Sequence, residues 1–95
     1  PGLIKRMLHG TKSWSPGEIA NGAAAHTTVT VTGVGVDGTW FCTASYASIG
    51  ADVSWLLSAH ASGTNTVTVT LFNATGGALT PGDFTLSVVA WEITA

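Results

Sequence analysis

The sequence predicts an all-β fold, a small antiparallel β-sandwich or jelly-roll-like domain, and three observations lead to this prediction. Thr and Val alternate in the runs TTVTVT and NTVTVT, and such alternation is typical of a strand with one buried face. Glycine-containing turn signals separate the apolar runs at intervals of about 8–12 residues, as in sandwiches and jelly-rolls. A chain of 95 residues has the length of one domain.

The N-terminal segment has helix-like rather than strand-like spacing. Within LIKRMLH, residues 3–9, apolar side chains recur as on one helical face: Leu3, Ile4, Met7 and Leu8. An autonomous helix needs about 12–15 residues, which this segment lacks. We therefore expect residues 1–13 to form a lead-in or connector that docks on its own domain or on a neighbour, and residues 14–95 to form a single β-sandwich domain.

Turn signals at Pro16-Gly17 and Asn21-Gly22 precede the first of five predicted strands. The predicted strands are Thr28–Thr32, Thr39–Tyr46, Asp52–Ala61, Thr66–Phe72 and Phe84–Ile93. Their alternation assigns one face of each to the interior. The predicted core residues are Val29, Val31, Trp40, Trp55, Leu57, Val67, Val69, Leu71, Leu86 and Val88.

The last predicted strand differs from the others because both of its faces are apolar. Its two faces carry Phe84, Leu86 and Val88 on one side, and Val89, Trp91 and Ile93 on the other. We expect this strand either to be buried on both faces or to switch faces at a bulge.

Charge is sparse and unevenly placed. Charged residues make up 8% of the chain, where about 25% is usual. The three basic residues, Lys5, Arg6 and Lys12, lie within the first twelve positions, which argues against a nucleic-acid partner. No apolar run approaches the roughly 20 residues of a membrane helix, so membrane insertion is not expected. A weakly charged β-domain with exposed edges is prone to self-association, and we expect an oligomer.

The sequence offers no pattern typical of an active site or a metal site. The acidic residues are far apart along the chain: Glu18, Asp37, Asp52, Asp83 and Glu92. The histidines lack metal-ligand spacing: His9, His26 and His60. Cys42 has no His or Lys beside it in sequence that would activate its thiol. We therefore expect no enzymatic activity and no cofactor.

Two tryptophans are candidate contacts for a glycan or for a neighbouring subunit. Trp14 precedes the Pro16-Gly17 turn, and Trp91 lies near the C-terminal end. An exposed indole can stack on a sugar ring or fill a partner's pocket. The alternative for both is packing at a sheet edge. Asn73-Ala74-Thr75 matches a glycosylation sequon, a short pattern that often arises by chance.

The order of motifs resembles the C-terminal domain of phage tail fibres and tailspikes. In that family a Trp-x-Pro-Gly turn precedes a Thr-rich strand that ends in Gly, and a later Asn-Thr-Val-Thr-Val run leads through Asn-x-Thr-Gly-Gly to a closing strand. The matching residues are Trp14, Pro16, Gly17, Val29, Val31, Gly33, residues 65–69, Asn73, Thr75, Gly76, Gly77, Gly82 and Val88. The resemblance covers residues 14–92.

The resemblance implies a virion protein domain that forms a homotrimer at the tip of a fibre. Its expected partners are other copies of itself, an upstream tail-fibre or other virion protein, and a host cell-surface glycan. Two alternatives stay open. One is a phage capsid or head-decoration jelly-roll protein. The other is a small carbohydrate-binding module in which Trp14 or Trp91 stacks on sugar.

Overall fold

The computed structural model describes residues 3–36, 39–47 and 55–94, and within them the secondary structure is entirely β. Six strands follow one another along the chain: β1 (Leu3–Trp14), β2 (Ala24–Thr30), β3 (Trp40–Ala47), β4 (Trp55–Gly63), β5 (Thr66–Asn73) and β6 (Phe84–Thr94). Five of them correspond to the five predicted strands, with ends shifted by a few residues. Among these described ranges there is no helix that could cross a membrane.

The strands form two three-stranded antiparallel sheets, with orders β1-β6-β3 and β2-β5-β4. The sheets pack face to face, and their edges meet, β3 beside β4 and β1 beside β2. At the second meeting point, the Lys12 Nζ donates hydrogen bonds to Thr27 Oγ1 at 2.7 Å and to the Thr28 carbonyl at 2.9 Å. A Cβ atom at Gly10 would lie 2.5 Å from the Thr30 carbonyl oxygen, so the close approach of β1 to β2 requires glycine there.

The core lies between the two sheets. Seven predicted core residues are buried there: Val29, Val31, Val67, Val69, Leu71, Leu86 and Val88. Trp40 and Leu57 are half-buried and pack against this cluster. The side chain of Trp55 lies outside the described part of the chain. Phe84, Ala90, Val34 and Ile19 are also buried in this core.

The N-terminal segment is a strand, so the helix-like spacing predicted the wrong structure. Residues 3–14 form β1, an edge strand that docks on its own domain by pairing with β6 over its full length. The pairing register shifts between Ile4 and Arg6. This β-bulge adds one residue, so Ile4 and Met7 point to the same face although they are three positions apart. A bulged strand can therefore imitate helical spacing.

Within one copy of the domain, strand β6 is buried on its inward face only, and it does not switch faces at a bulge. Its pairing with β3 runs without a register shift from Ala47 opposite Thr85 to Trp40 opposite Glu92. The inward face is buried from Phe84 onwards. The outward face stays accessible, and Ile93 is 44% exposed. The apolar residues of this outward face are thus not part of the domain's own core.

The antiparallel pairing gives the domain two distinct ends. Leu3 pairs with Thr94, so the first and last described residues lie together at what we call the terminal end. Asn65, with φ of 59°, turns β4 into β5 at this end, and its side chain accepts a hydrogen bond of 2.8 Å from the Gly33 amide. The opposite end, which we call the loop end, carries residues 15–23 and 74–83.

Candidate functional site

The outer face of the β1-β6-β3 sheet carries an exposed apolar surface at its terminal end. Met7 and Phe41 flank Trp91 in one cross-strand row, and Ile4 pairs with Ile93 in the next. Met7 and Ile4 are each 63% exposed and Phe41 is 58% exposed. The rings of Phe41 and Trp91 lie 5.4 Å apart between centroids. We call these five residues the apolar half of this face.

The rest of the same outer face is lined by hydroxyl groups. Two cross-strand rows toward the loop end contain Thr11, Ser13, Ser45, Thr85 and Ser87, which we call the hydroxyl half. An intermediate row of His9, Val89 and Thr43 separates the two halves. One sheet face thus changes along its strands from apolar to uncharged polar.

The charged residues of these three strands mostly face inward. Arg6 and Glu92 are paired opposite each other, and the Arg6 Nε donates to Glu92 Oε1 at 2.8 Å. Glu92 is 9% exposed. The Arg6 guanidinium also lies 5.3 Å from the centre of the Trp40 ring and donates to the Gly33 carbonyl at 3.3 Å. The cluster places a satisfied ion pair and a cation–π contact at the terminal end of the core.

The outer face of the β2-β5-β4 sheet is polar and rich in hydroxyl groups. Thr68 Oγ1 donates to Ser62 Oγ at 2.6 Å, and His26 Nδ1 lies 2.8 Å from Thr70 Oγ1. This face also has one apolar row at its loop end, where Phe72 lies between Ala24 and Leu56; Leu56 is 58% exposed. The exposed apolar surface is therefore smaller on this sheet than on the other.

Asn73 organises the loop end. Its side chain is fully buried at the end of β5, and its Nδ2 donates to the carbonyls of Ile19 and Gly77, each at 2.8 Å. Its Oδ1 accepts from the Thr75 amide at 2.9 Å and from Thr75 Oγ1 at 2.6 Å. This network joins residues 74–77 to the segment before β2. Because both amide hydrogens are engaged in the interior, the sequon at Asn73 is closed to glycosylation in the folded domain.

The two candidate tryptophans lie in different surroundings. Trp14 is half-buried and packs edge-on against Phe84, with ring centroids 5.6 Å apart. Tyr46 contacts the same Phe84 ring at 6.2 Å. Trp91 is half-buried in the apolar half, between Met7 and Phe41. The structure therefore does not bring the two candidates together, since Phe84 and Trp91 point to opposite faces of β6.

The described residues contain no group of three or more side chains that could hold a metal ion, and no pocket forms among them. Of the acidic residues, Glu18 and Asp83 are exposed near the loop end, while Asp37 and Asp52 lie outside the described ranges. Burial raises the pKa of the Cys42 thiol, and a backbone hydrogen bond involving Ala61 partly offsets this. A raised thiol pKa disfavours the nucleophilic thiolate.

No family model, curated protein or solved structure matches this chain. The residues that sequence reasoning missed are Ile4, Met7 and Phe41 of the apolar half. Phe41 was visible as an apolar side chain opposite the predicted core face of its strand, whereas Ile4 and Met7 lay in a segment predicted as a lead-in. Only the register of β1 and β3 against β6 shows that the three residues adjoin Trp91.

Proposed function

We propose that this chain is a non-enzymatic structural domain of a phage virion. In this proposal it forms a homotrimer at the tip of a tail fibre or tailspike, joins an upstream virion protein and contributes to attachment at the host surface. The observation that carries the proposal is the apolar half. Four of the six large apolar side chains that are exposed among the described residues belong to it: Ile4, Met7, Phe41 and Ile93.

Monomeric domains rarely expose a contiguous apolar surface of this kind. Exposed apolar side chains scattered singly are ordinary, but a contiguous apolar patch is typical of an interaction site. Here the patch coincides with a charged content of only 8%, so few charges keep the surface soluble. Contact between copies covers the patch and removes the need for charge.

The strand order supports a jelly-roll as the finer description of the fold. The chain crosses from one sheet to the other after β1, β2, β3 and β5, and stays within a sheet only at the β4–β5 hairpin. Jelly-rolls also build two facing sheets by sending the chain repeatedly from one sheet to the other, usually with eight strands. The same order favours the second candidate, a capsid or head-decoration protein, which would also assemble through contacts between copies.

A carbohydrate-binding module has weaker support. Trp14 packs against Phe84, and the part of the chain that the structure describes has no pocket. Trp91 is the better candidate for stacking on a sugar, but it shares its surface with four other apolar residues.

The test of the proposal is the solution mass, measured by light scattering on a sizing column across a dilution series. We expect a stable mass near three times 9.6 kDa. A monomer at all concentrations would overturn the trimeric fibre-tip function. A glycan array probed with the trimer then tests attachment. Because contact between copies covers Trp91 in this proposal, glycan binding should persist in a Trp91→Ala variant that keeps the trimeric mass, and its loss there would favour the carbohydrate-binding alternative.

A further inference from the structure

We propose that copies of this chain associate in parallel through the outer face of the β1-β6-β3 sheet, with the apolar half of each copy against the apolar half of the next. The inference rests on the proposed function of self-assembly and adds to it the face, the residues and the relative direction of the strands. The occupant of the apolar half is a second copy of this chain.

The exposed area of the apolar half suits the centre of an interface between copies. Ile4, Met7, Phe41 and Ile93 are 63%, 63%, 58% and 44% exposed. At roughly 200 Å² for a large side chain, they leave about 450 Å² accessible. A standard interface buries about 800 Å² on each partner. The apolar half therefore supplies more than half of that area, and the adjoining hydroxyl half supplies a polar margin of the kind that surrounds interface centres.

The distribution of charge favours a second copy over a charged partner. In the three strands of this sheet, Arg6 and Glu92 are paired with each other, and Lys12 reaches inward to Thr27. Lys5 lies at the bulge of the edge strand. A strongly acidic or basic partner would find few opposite charges on this face. Among the described residues of these strands, no Lys, Arg, Asp or Glu side chain lies unpaired at the centre of the face, where His9 is the one titratable side chain of the intermediate row. Two copies therefore avoid most of the cost of desolvating charge.

The position of the apolar half selects the parallel arrangement. It lies at the terminal end, and the hydroxyl half lies toward the loop end. If two copies overlapped fully with their strands antiparallel, each apolar half would cover a hydroxyl half. With parallel strands, each apolar half covers an apolar half and each hydroxyl half covers a hydroxyl half. The loop ends of all copies then point the same way. An end-to-end arrangement that joins only the apolar halves would bury only about 450 Å² per copy, below the standard size.

Cross-linking between engineered cysteines tests both the face and the direction. The background is Cys42→Ala, which removes the native thiol. Val89→Cys probes the middle of β6 beside the apolar half, and Thr85→Cys probes the exposed row of the hydroxyl half that lies farthest from the apolar half. Ser58→Cys is the matched control, an exposed position on the outer face of the other sheet. Each variant is treated with a short bis-maleimide after its mass and melting temperature have been checked against the background protein.

Parallel association predicts covalent dimers for both Val89→Cys and Thr85→Cys, and at least tenfold less product for Ser58→Cys. A dimer is the largest possible product because each chain carries one thiol and the linker joins two. In antiparallel overlap Thr85 of one copy would lie near Ile93 of the next, roughly 26 Å along the strand from the other Thr85. Product from Val89→Cys alone would therefore indicate antiparallel overlap or end-to-end contact, and either would overturn the parallel arrangement. Product mainly from Ser58→Cys would overturn the choice of face, while self-assembly would stand. A monomeric mass with no product from any variant would instead refute the proposed function itself.

Discussion

Replacing Asn73 tests whether one buried amide holds the loop end to the sandwich. Asn73→Ala removes four hydrogen bonds, two donated to Ile19 and Gly77 and two accepted from Thr75. Not all of these partners are left unsatisfied. The Ile19 carbonyl still accepts from the Leu79 amide at 3.1 Å. The Thr75 hydroxyl has one hydrogen, and once Asn73 Oδ1 is gone it can donate fully to the Gly77 carbonyl 3.0 Å away.

The expected loss follows from this count. A net contribution of about 0.5–1.5 kcal/mol for each hydrogen bond, reduced for the two carbonyls that keep a partner, gives a loss of roughly 2–4 kcal/mol. A domain of this length has a total unfolding free energy of about 5–14 kcal/mol. The melting temperature should therefore fall by roughly 10–25 °C. Urea unfolding followed by circular dichroism measures the free energy directly.

Two further variants separate the role of the amide from simple loss of volume. Asn73→Asp keeps the shape but turns a donor into an acceptor that faces the Ile19 and Gly77 carbonyls, so we expect it to destabilise more than Asn73→Ala at neutral pH. Asn21→Ala is the matched control, because it removes one exposed hydrogen bond of 3.1 Å to the Gly76 amide; its cost should stay below about 0.5 kcal/mol. If Asn73→Ala costs no more than Asn21→Ala, the network does not stabilise the fold.

Three other outcomes are expected. Val69→Asp buries an unpaired charge at a position with no exposure and should abolish folding, seen as loss of the cooperative melt; a folded variant would contradict the assigned face of β5. Arg6→Met leaves the Glu92 carboxylate without its ion-pair partner, and because Arg6 is half exposed we expect only about 1–2 kcal/mol of destabilisation. In urea unfolding, the double variant Arg6→Met/Glu92→Gln should recover most of the lost unfolding free energy. Burial raises the pKa of Cys42, so the thiol stays protonated to higher pH in the folded state than in the unfolded chain. Its contribution to the unfolding free energy should be full below the unfolded pKa and should fall, relative to Cys42→Ser, as the pH rises toward the folded pKa. Equal dependence of the unfolding free energy on pH in the two proteins would contradict this.

Much of the fold follows from the alternation of Thr and Val, since a period of two fixes which side chains face inward. This rule predicted the burial of Val67, Val69 and Leu71 and the outward position of Phe41. It did not predict β1, because the bulge between Ile4 and Arg6 breaks the period of two. A bulge depends on pairing with another strand, and no local pattern in residues 3–9 reveals that partner.

The candidate site was harder to predict than the core for a related reason. Ile4, Met7, Phe41 and Trp91 come from three strands that are distant in sequence, and they adjoin only through the register of β1 and β3 against β6. The sequence did show that β6 is apolar on both faces. Because burial was the simplest explanation for a second apolar face, the exposed surface was not expected.

The pairing of Leu3 with Thr94 has a mechanical consequence. A pulling force applied at Leu3, with the domain held at Asp83 just before β6, enters through β1 and leaves through β6, parallel to both strands. The hydrogen bonds between these strands lie perpendicular to the strand direction, so such a force shears the whole ladder from Leu3 to Trp14 at once. A force that separated Leu3 from Thr94 would instead open the ladder one pair at a time. The domain should therefore resist tension along its length far better than tension between its two adjacent ends.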